Sequence, residues 1–143
     1  METIVQPYLF FEGNCEEAID FYCAKLGAEK IMLMRYKENP GEPPPGMVRE
    51  GSEEKIMHGA FKLGESLIMA SDNCCGEKKA SFDGFSLSLS LPDEAAAKKA
   101  FDALAEDGEI QMPLDKTFWS PCFGMLTDKF GIGWMVTVAQ ECM

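Results

Sequence analysis

One histidine and six cysteines limit the chemistry open to this 143-residue chain. Histidine changes charge near neutrality, so His58 is the candidate general base, or the polar anchor of a bound ligand. Asp72, at the end of the same hairpin, is its candidate partner. No other catalytic group pairs with His58 by spacing alone. The cysteines stand at 15, 23, 74, 75, 122 and 142, and no C-x-x-C pair occurs. Zinc sites need closely spaced Cys or His pairs, so scattered reduced thiols and no metal are expected. The vicinal Cys74-Cys75 pair in NCCGEKK is the one place suited to redox chemistry or a soft metal. A nucleophile elbow, a phosphate loop and a dinucleotide fingerprint are all absent. Gly131-Ile132-Gly133 lacks a third glycine and falls between strands.

Positioning any such group falls to short strands and two helices. TIVQPYLFF, residues 3–11, reads as a strand with Tyr8 and Phe10 directed to the core and Pro7, Leu9 and Phe11 lining the cavity. Asn14 is the expected N-cap of NCEEAIDFYCAKLG, a helix with Ala18, Ile19, Tyr22 and Leu26 on one face and a stop at Gly27. AEKIMLMRY (28–36) is a second strand. Residues 37–54, KENPGEPPPGMVREGSEE, are rich in Pro, Gly and charge and read as a flexible insertion. KIMHGAFKL and ESLIMASD form a hairpin about Gly64. Within it Met57, Phe61 and Leu63 share one face, and His58, Ala60 and Lys62 the other.

FSLSLSL carries the clearest alternation. Phe85, Leu87 and Leu89 are expected to pack on the helices, and Ser86, Ser88 and Ser90 to face a cavity with a row that is polar but uncharged. Pro92-Asp93 starts the helix DEAAAKKAFDALAEDG, whose apolar face runs Ala96, Ala97, Ala100, Phe101 and Leu104 and which ends near Gly108. EIQM, CFGMLTD and GWMVTVA are the remaining strands. Asp128-Lys129-Phe130-Gly131 is a turn with Gly131 at positive φ. Trp134 and Val136 point inward, Met135 and Thr137 to the concave side.

The order β-α-β-β-β therefore occurs twice. Gly27 matches Gly108 at an offset of 81, and Gly64 matches Gly131 at 67; the difference of 14 is about what the Pro-rich insertion adds. In this alignment His58 and Met125 are equivalent. One α+β domain, 1–143, is expected, with module 1 at about 3–72 and module 2 at about 82–140.

Charge and hydropathy narrow the partners. The formal net charge is −11, which argues against nucleic acid and anionic membrane. No apolar run of about 18 residues occurs, so no membrane span is expected. METIVQPYLFFEG lacks the basic start and cleavage site of a secretory signal, which leaves a cytoplasmic protein as the expectation.

Two βαβββ modules, together with PYLFFEGNCEEAIDFY, LGAE, MHGAFKLGESLIMASD and TFWSPCFGMLTDKFGIGWMV, resemble the PhnB-like branch of the vicinal-oxygen-chelate superfamily. This is the glyoxalase/bleomycin-resistance fold, and the branch has carried a 3-demethylubiquinone methyltransferase label. The resemblance implies curled sheets around a cavity and a homodimer. Superfamily members with metal chemistry carry a ligand on the first strand of each module and a glutamate on a last strand. Here those positions fall at Pro7, at Gly84 or Phe85, and at Met135. None is a ligand for a hard or borderline cation. The fold is expected without the metal centre, and no cofactor is expected.

The sequence thus leads to a metal-free protein that binds a small, partly apolar molecule through Ser86, Ser88, Trp119, Phe123, Met125 and Met135. The alternative is a lyase, isomerase or transferase that uses His58 or an unforeseen metal site.

Overall fold

In the computed structural model the described residues are 3–38, 53–72, 82–117 and 121–138. β1 (Tyr8–Phe11), α1 (Cys15–Leu26), β2 (Glu29–Arg35), β3 (Ile56–Leu63) and β4 (Ser66–Asp72) belong to one compact unit, Met1–Ala80. β5 (Leu87–Leu91), α2 (Glu94–Ala105), β6 (Glu109–Asp115), β7 (Phe123–Thr127) and β8 (Gly133–Val138) belong to the second, Ser81–Met143. Each unit is βαβββ, as the repeat requires. Its sheet is mixed: β1-β4-β3-β2 in the first and β5-β8-β7-β6 in the second, with only the β1–β4 and β5–β8 pairs parallel.

One face of each sheet is closed by its helix. In the first unit Tyr22 of α1 stacks on Phe61 of β3, with ring centroids 5.6 Å apart. Gly59 lets the helix come close: a Cβ there would stand 3.1 Å from Ile19 Cδ1 and 3.2 Å from Leu33 Cδ1. Gly124 does the same in the second unit, where a Cβ would lie 2.8 Å from Phe101 Cε2. These two glycines occupy equivalent register positions, Gly59 opposite Ala70 and Gly124 opposite Val136. The register therefore makes Phe123, not Met125, the counterpart of His58. The glycine-to-glycine alignment misses this because the two hairpins differ in length: Leu63 pairs with Ser66, whereas Thr127 pairs with Gly133.

Local chemistry sets the helix ends. Gly27 takes the left-handed conformation at φ 72° and stops α1. Asn14 sits at the N-cap of α1, but its side chain makes no capping bond. The buried carboxylate of Asp72 accepts from Gly13 N (2.8 Å) and Cys15 N (3.0 Å) instead, and from Ile56 N (2.9 Å). In α2, Asp93 caps directly by accepting from Ala96 N at 2.8 Å. α2 ends at Ala105, earlier than its sequence suggests, and Asp107 takes the positive φ of 58° before Gly108. Gly131 has φ 91° in the β7–β8 turn, as expected.

β1 is shorter than residues 3–11 and its faces are reversed. Leu9 and Phe11 are buried against the core, whereas Phe10 is 52% exposed and Tyr8 half-buried. Phe85 precedes β5 and is exposed rather than packed inward. The ends of the Pro-rich insertion are tied: Lys37 N donates to Glu53 O at 3.0 Å, and Lys37 Nζ pairs with Glu54 at 2.6 Å. Residues 39–52 of that insertion, and the Cys74-Cys75 pair, lie outside the described residues. Among the described residues no helix is long and apolar enough to cross a membrane.

Candidate functional site

Strand register decides which side chains share the face that each helix leaves open. Partners across a ladder point the same way. In the second sheet Ser88 pairs with Met135, Met135 with Met125, and Met125 with Met112. These four residues form one row across β5, β8, β7 and β6. Gly124, Leu126, Trp134 and Val136 fall on the opposite, helix-facing side. The first sheet has the same row in the same strand order: Tyr8 with Met69, Met69 with Ala60, and Ala60 with Met32. Both outer strands shift register at equivalent points, between Lys30 and Met32 and between Ile110 and Met112.

Of the residues expected from sequence, Ser88, Met125 and Met135 are therefore neighbours. Phe123 shares their face, opposite Thr137, but is itself buried at 6% exposure. Ser86 precedes β5, and its Oγ would lie 2.9 Å from a Cβ built on Gly133. Trp119 lies outside the described residues. His58 stands in the first unit, paired across β2–β3 with Met34.

His58 has a partner that the sequence did not indicate. Tyr8 Oη lies 3.1 Å from His58 Nδ1. The two ring centroids are 5.7 Å apart, and Tyr8 also lies against Phe10 at 4.9 Å. Tyr8 was expected in the core because YLFF is aromatic or aliphatic throughout and gives no phase to the alternation. The one signal available was that Tyr carries a polar tip, which favours the half-open face.

Asp72 is not the partner of His58. Its parity with Ala70 puts it on the helix side of β4, where both carboxylate oxygens are held by main-chain N–H groups. Its own carbonyl accepts the Tyr36 hydroxyl at 2.9 Å. Burial, then the charges of Asp72 and Tyr8, push the Tyr36 phenol up. Cys15, buried beside Asp72, is pushed far above the ordinary thiol range, first by burial and then by Asp72 and Glu16. That thiol is inert packing and no nucleophile.

The positions where superfamily metal centres bind do not fit a cation here. Pro7 offers only its carbonyl, and that oxygen accepts Met69 N at 3.1 Å. Gly84 has no side-chain donor, and Phe85 presents an exposed ring. Met135 brings a thioether flanked by Ser88 and Met125. Among the described residues no group of three or more His, Cys, Asp or Glu side chains converges as a metal site. A cleft of about 440 Å³ between α2 and β6, lined by Phe101, Ile110, Pro113, Leu114 and Cys122 with charged residues of α2, lies on the helix side of the second sheet. It contains no described residue expected to bind ligand except as a neighbour in sequence.

Comparison with known proteins agrees with this architecture. Residues 3–137 match the family model described as 3-demethylubiquinone-9 3-methyltransferase. Protein YjdN of Escherichia coli (strain K12) is 38% identical over 144 residues, covering 96% of each chain. Protein PA1353 from Pseudomonas aeruginosa superposes with a TM-score of 0.85 at 39% identity, covering 98% of this chain and 100% of that one. The PhnB protein from Bacillus cereus gives 0.78 at 31% identity, covering 96% and 100%. A glyoxylase/bleomycin resistance protein/dioxygenase domain from Frankia sp. EAN1pec shares the fold alone, at a TM-score of 0.69 and 13% identity over 100% of this chain and 96% of that one.

Proposed function

The chain belongs to the 3-demethylubiquinone-9 3-methyltransferase (PhnB-like) family of the glyoxalase/bleomycin-resistance fold, and from that premise we propose that it binds small, partly apolar molecules without a metal. The observation that carries this reading is the row repeated in both sheets. Each open face has a row of methionine side chains that ends in a hydroxyl: Met112, Met125 and Met135 with Ser88, and Met32 and Met69 with Tyr8. Thioethers are flexible and polarizable, so such a face adapts to apolar ligands of varied shape. A hydroxyl at the end of the row gives orientation.

The family description names methyl transfer. S-adenosylmethionine is ordinarily held by a parallel, doubly wound sheet with a glycine loop ahead of a helix. Here each sheet is mixed and carries a single helix on one side. That architecture favours binding, or a different reaction, over this transfer. Elemental analysis of protein purified without chelator tests the metal-free part. The expected content is far below one equivalent of zinc, nickel or manganese, and near one equivalent would overturn it.

A second reading is a lyase, isomerase or transferase that uses His58. It is favoured by the Tyr8–His58 hydrogen bond, which holds the imidazole in place on an open face. Both readings include a cytoplasmic homodimer. The outermost strands β2 and β6 expose Ile31 and Ile110, 52% and 49% open, as self-association surfaces commonly do. Light scattering should give twice the chain mass; a single chain mass would sink the dimer.

A further inference from the structure

We propose that Tyr8 fixes the tautomer of His58, so that His58 meets a ligand as a hydrogen-bond donor through Nε2–H and not as a base. The proposal rests on the binding reading of the open face of the first sheet. It also specifies the ligand that face takes: an apolar body carrying an acceptor oxygen, as a carbonyl or a carboxylate.

In a neutral imidazole one nitrogen donates and the other accepts, and the bond made by one sets the state of the other. Two directions fit the 3.1 Å contact between Tyr8 Oη and His58 Nδ1. In the first, the phenol donates to Nδ1 and His58 carries its proton on Nε2. In the second, Nδ1–H donates to the phenol oxygen. The Tyr8 hydrogen then has no acceptor among the described residues and must turn to solvent. The first direction leaves no group of the pair in conflict. It also leaves Nε2–H pointing away from the bond that fixes it. Among the described residues Nε2 has no partner and no buried side-chain nitrogen or oxygen goes unpaired, so Nε2 is open to whatever occupies the face.

Around this donor the face is mostly apolar, with Ser71 opposite Phe10 and Lys62 further along β3 as its other polar side chains. Met34 pairs with His58, Met69 pairs with both Tyr8 and Ala60, and the exposed ring of Phe10 lies against Tyr8. A directed donor among thioethers and aromatic rings selects an acceptor oxygen on an apolar body. Protonation does not reverse the role. The imidazolium would donate from Nδ1 to the Tyr8 oxygen and keep Nε2–H outward. Tyr8 is thus a positioning residue, and His58 the group that touches the ligand.

The chain has one histidine, so its ring nitrogens are assigned without ambiguity in a long-range ¹H–¹⁵N spectrum. The expected wild-type spectrum is that of the Nε2–H tautomer, with Nδ1 unprotonated and hydrogen-bonded. Tyr8→Phe should move the Nδ1 resonance and return the ring to a mixture of tautomers. An Nδ1–H pattern in the wild type overturns the proposal. Acetophenone, benzoate, ethylbenzene and benzylamine then serve as probes. Acetophenone or benzoate should shift Nε2 and bind about tenfold more tightly than ethylbenzene or benzylamine, the scale of one hydrogen bond. Equal affinity for ethylbenzene overturns it. His58→Gln keeps a donor and should retain acetophenone affinity within about threefold, while His58→Leu loses about tenfold. Equal losses in the two variants overturn the donor role. If no probe binds while the tautomer is Nε2–H, the binding reading of the face fails and the tautomer assignment stands.

Discussion

Asp72 shows how one side chain can serve the frame instead of the chemistry. Both of its oxygens accept main-chain N–H groups, from Gly13, Cys15 and Ile56, at 2.8 to 3.0 Å and out of solvent. Asp72→Asn would turn an amide donor toward those donors. The expected loss is about 2–3 kcal/mol, read as a lower denaturant midpoint; an unchanged midpoint would refute the clamp. Cys15, beside it, gives a pH prediction. Its folded thiol is held neutral by burial and by Asp72, whereas an unfolded thiol ionises near the ordinary 9.0. Above that value the folded state keeps a proton that the unfolded state releases, so stability must fall as pH rises. The decline between about pH 8 and about pH 10 should be shallower in Cys15→Ala than in the wild type. Equal slopes would mean that Cys15 is not the group responsible.

At the scale of elements, the two helix starts look alike in sequence and differ in mechanism. Asp93 caps α2 with its own side chain, so Asp93→Ala should cost about 1 kcal/mol in chemical denaturation. Asn14→Ala should cost only a few tenths of that, because Asp72 caps α1 from another strand. A large effect at Asn14 would show that its side chain does cap α1. The same contrast explains what was legible from sequence. FSLSLSL states its phase outright, and Gly27, Asp93 and Gly131 mark ends by local chemistry. Those signals sufficed for two βαβββ units in the right order. YLFF states no phase, so β1 was read with its faces reversed. The partners of His58 and Cys15 stand 50 and 57 residues away in sequence, and no local rule reaches that far. The Ser88–Met135–Met125 neighbourhood followed from strand parity, but Met112 joins the row only through the register shift in β6.

Across the whole molecule, the repeat extends from the order of elements to the register of the strands. Tyr8 matches Ser88, Met69 matches Met135, Ala60 matches Met125 and Met32 matches Met112, so each unit presents a row with a hydroxyl at one end and thioethers along it, Ala60 standing where the second unit has Met125. The superfamily's cation positions hold Pro7, Gly84 or Phe85, and Met135, which lack the donors a divalent ion needs. On the proposed reading, these faces hold an apolar molecule directly. The most direct test is a ¹³C-methyl methionine spectrum of metal-poor protein during titration with acetophenone, benzoate, ethylbenzene and benzylamine in turn. Saturable shifts of the Met112, Met125 and Met135 methyls are expected with at least one probe and no added metal. Methyls that stay in place through all four titrations, or that move only once zinc or nickel is added, would contradict it.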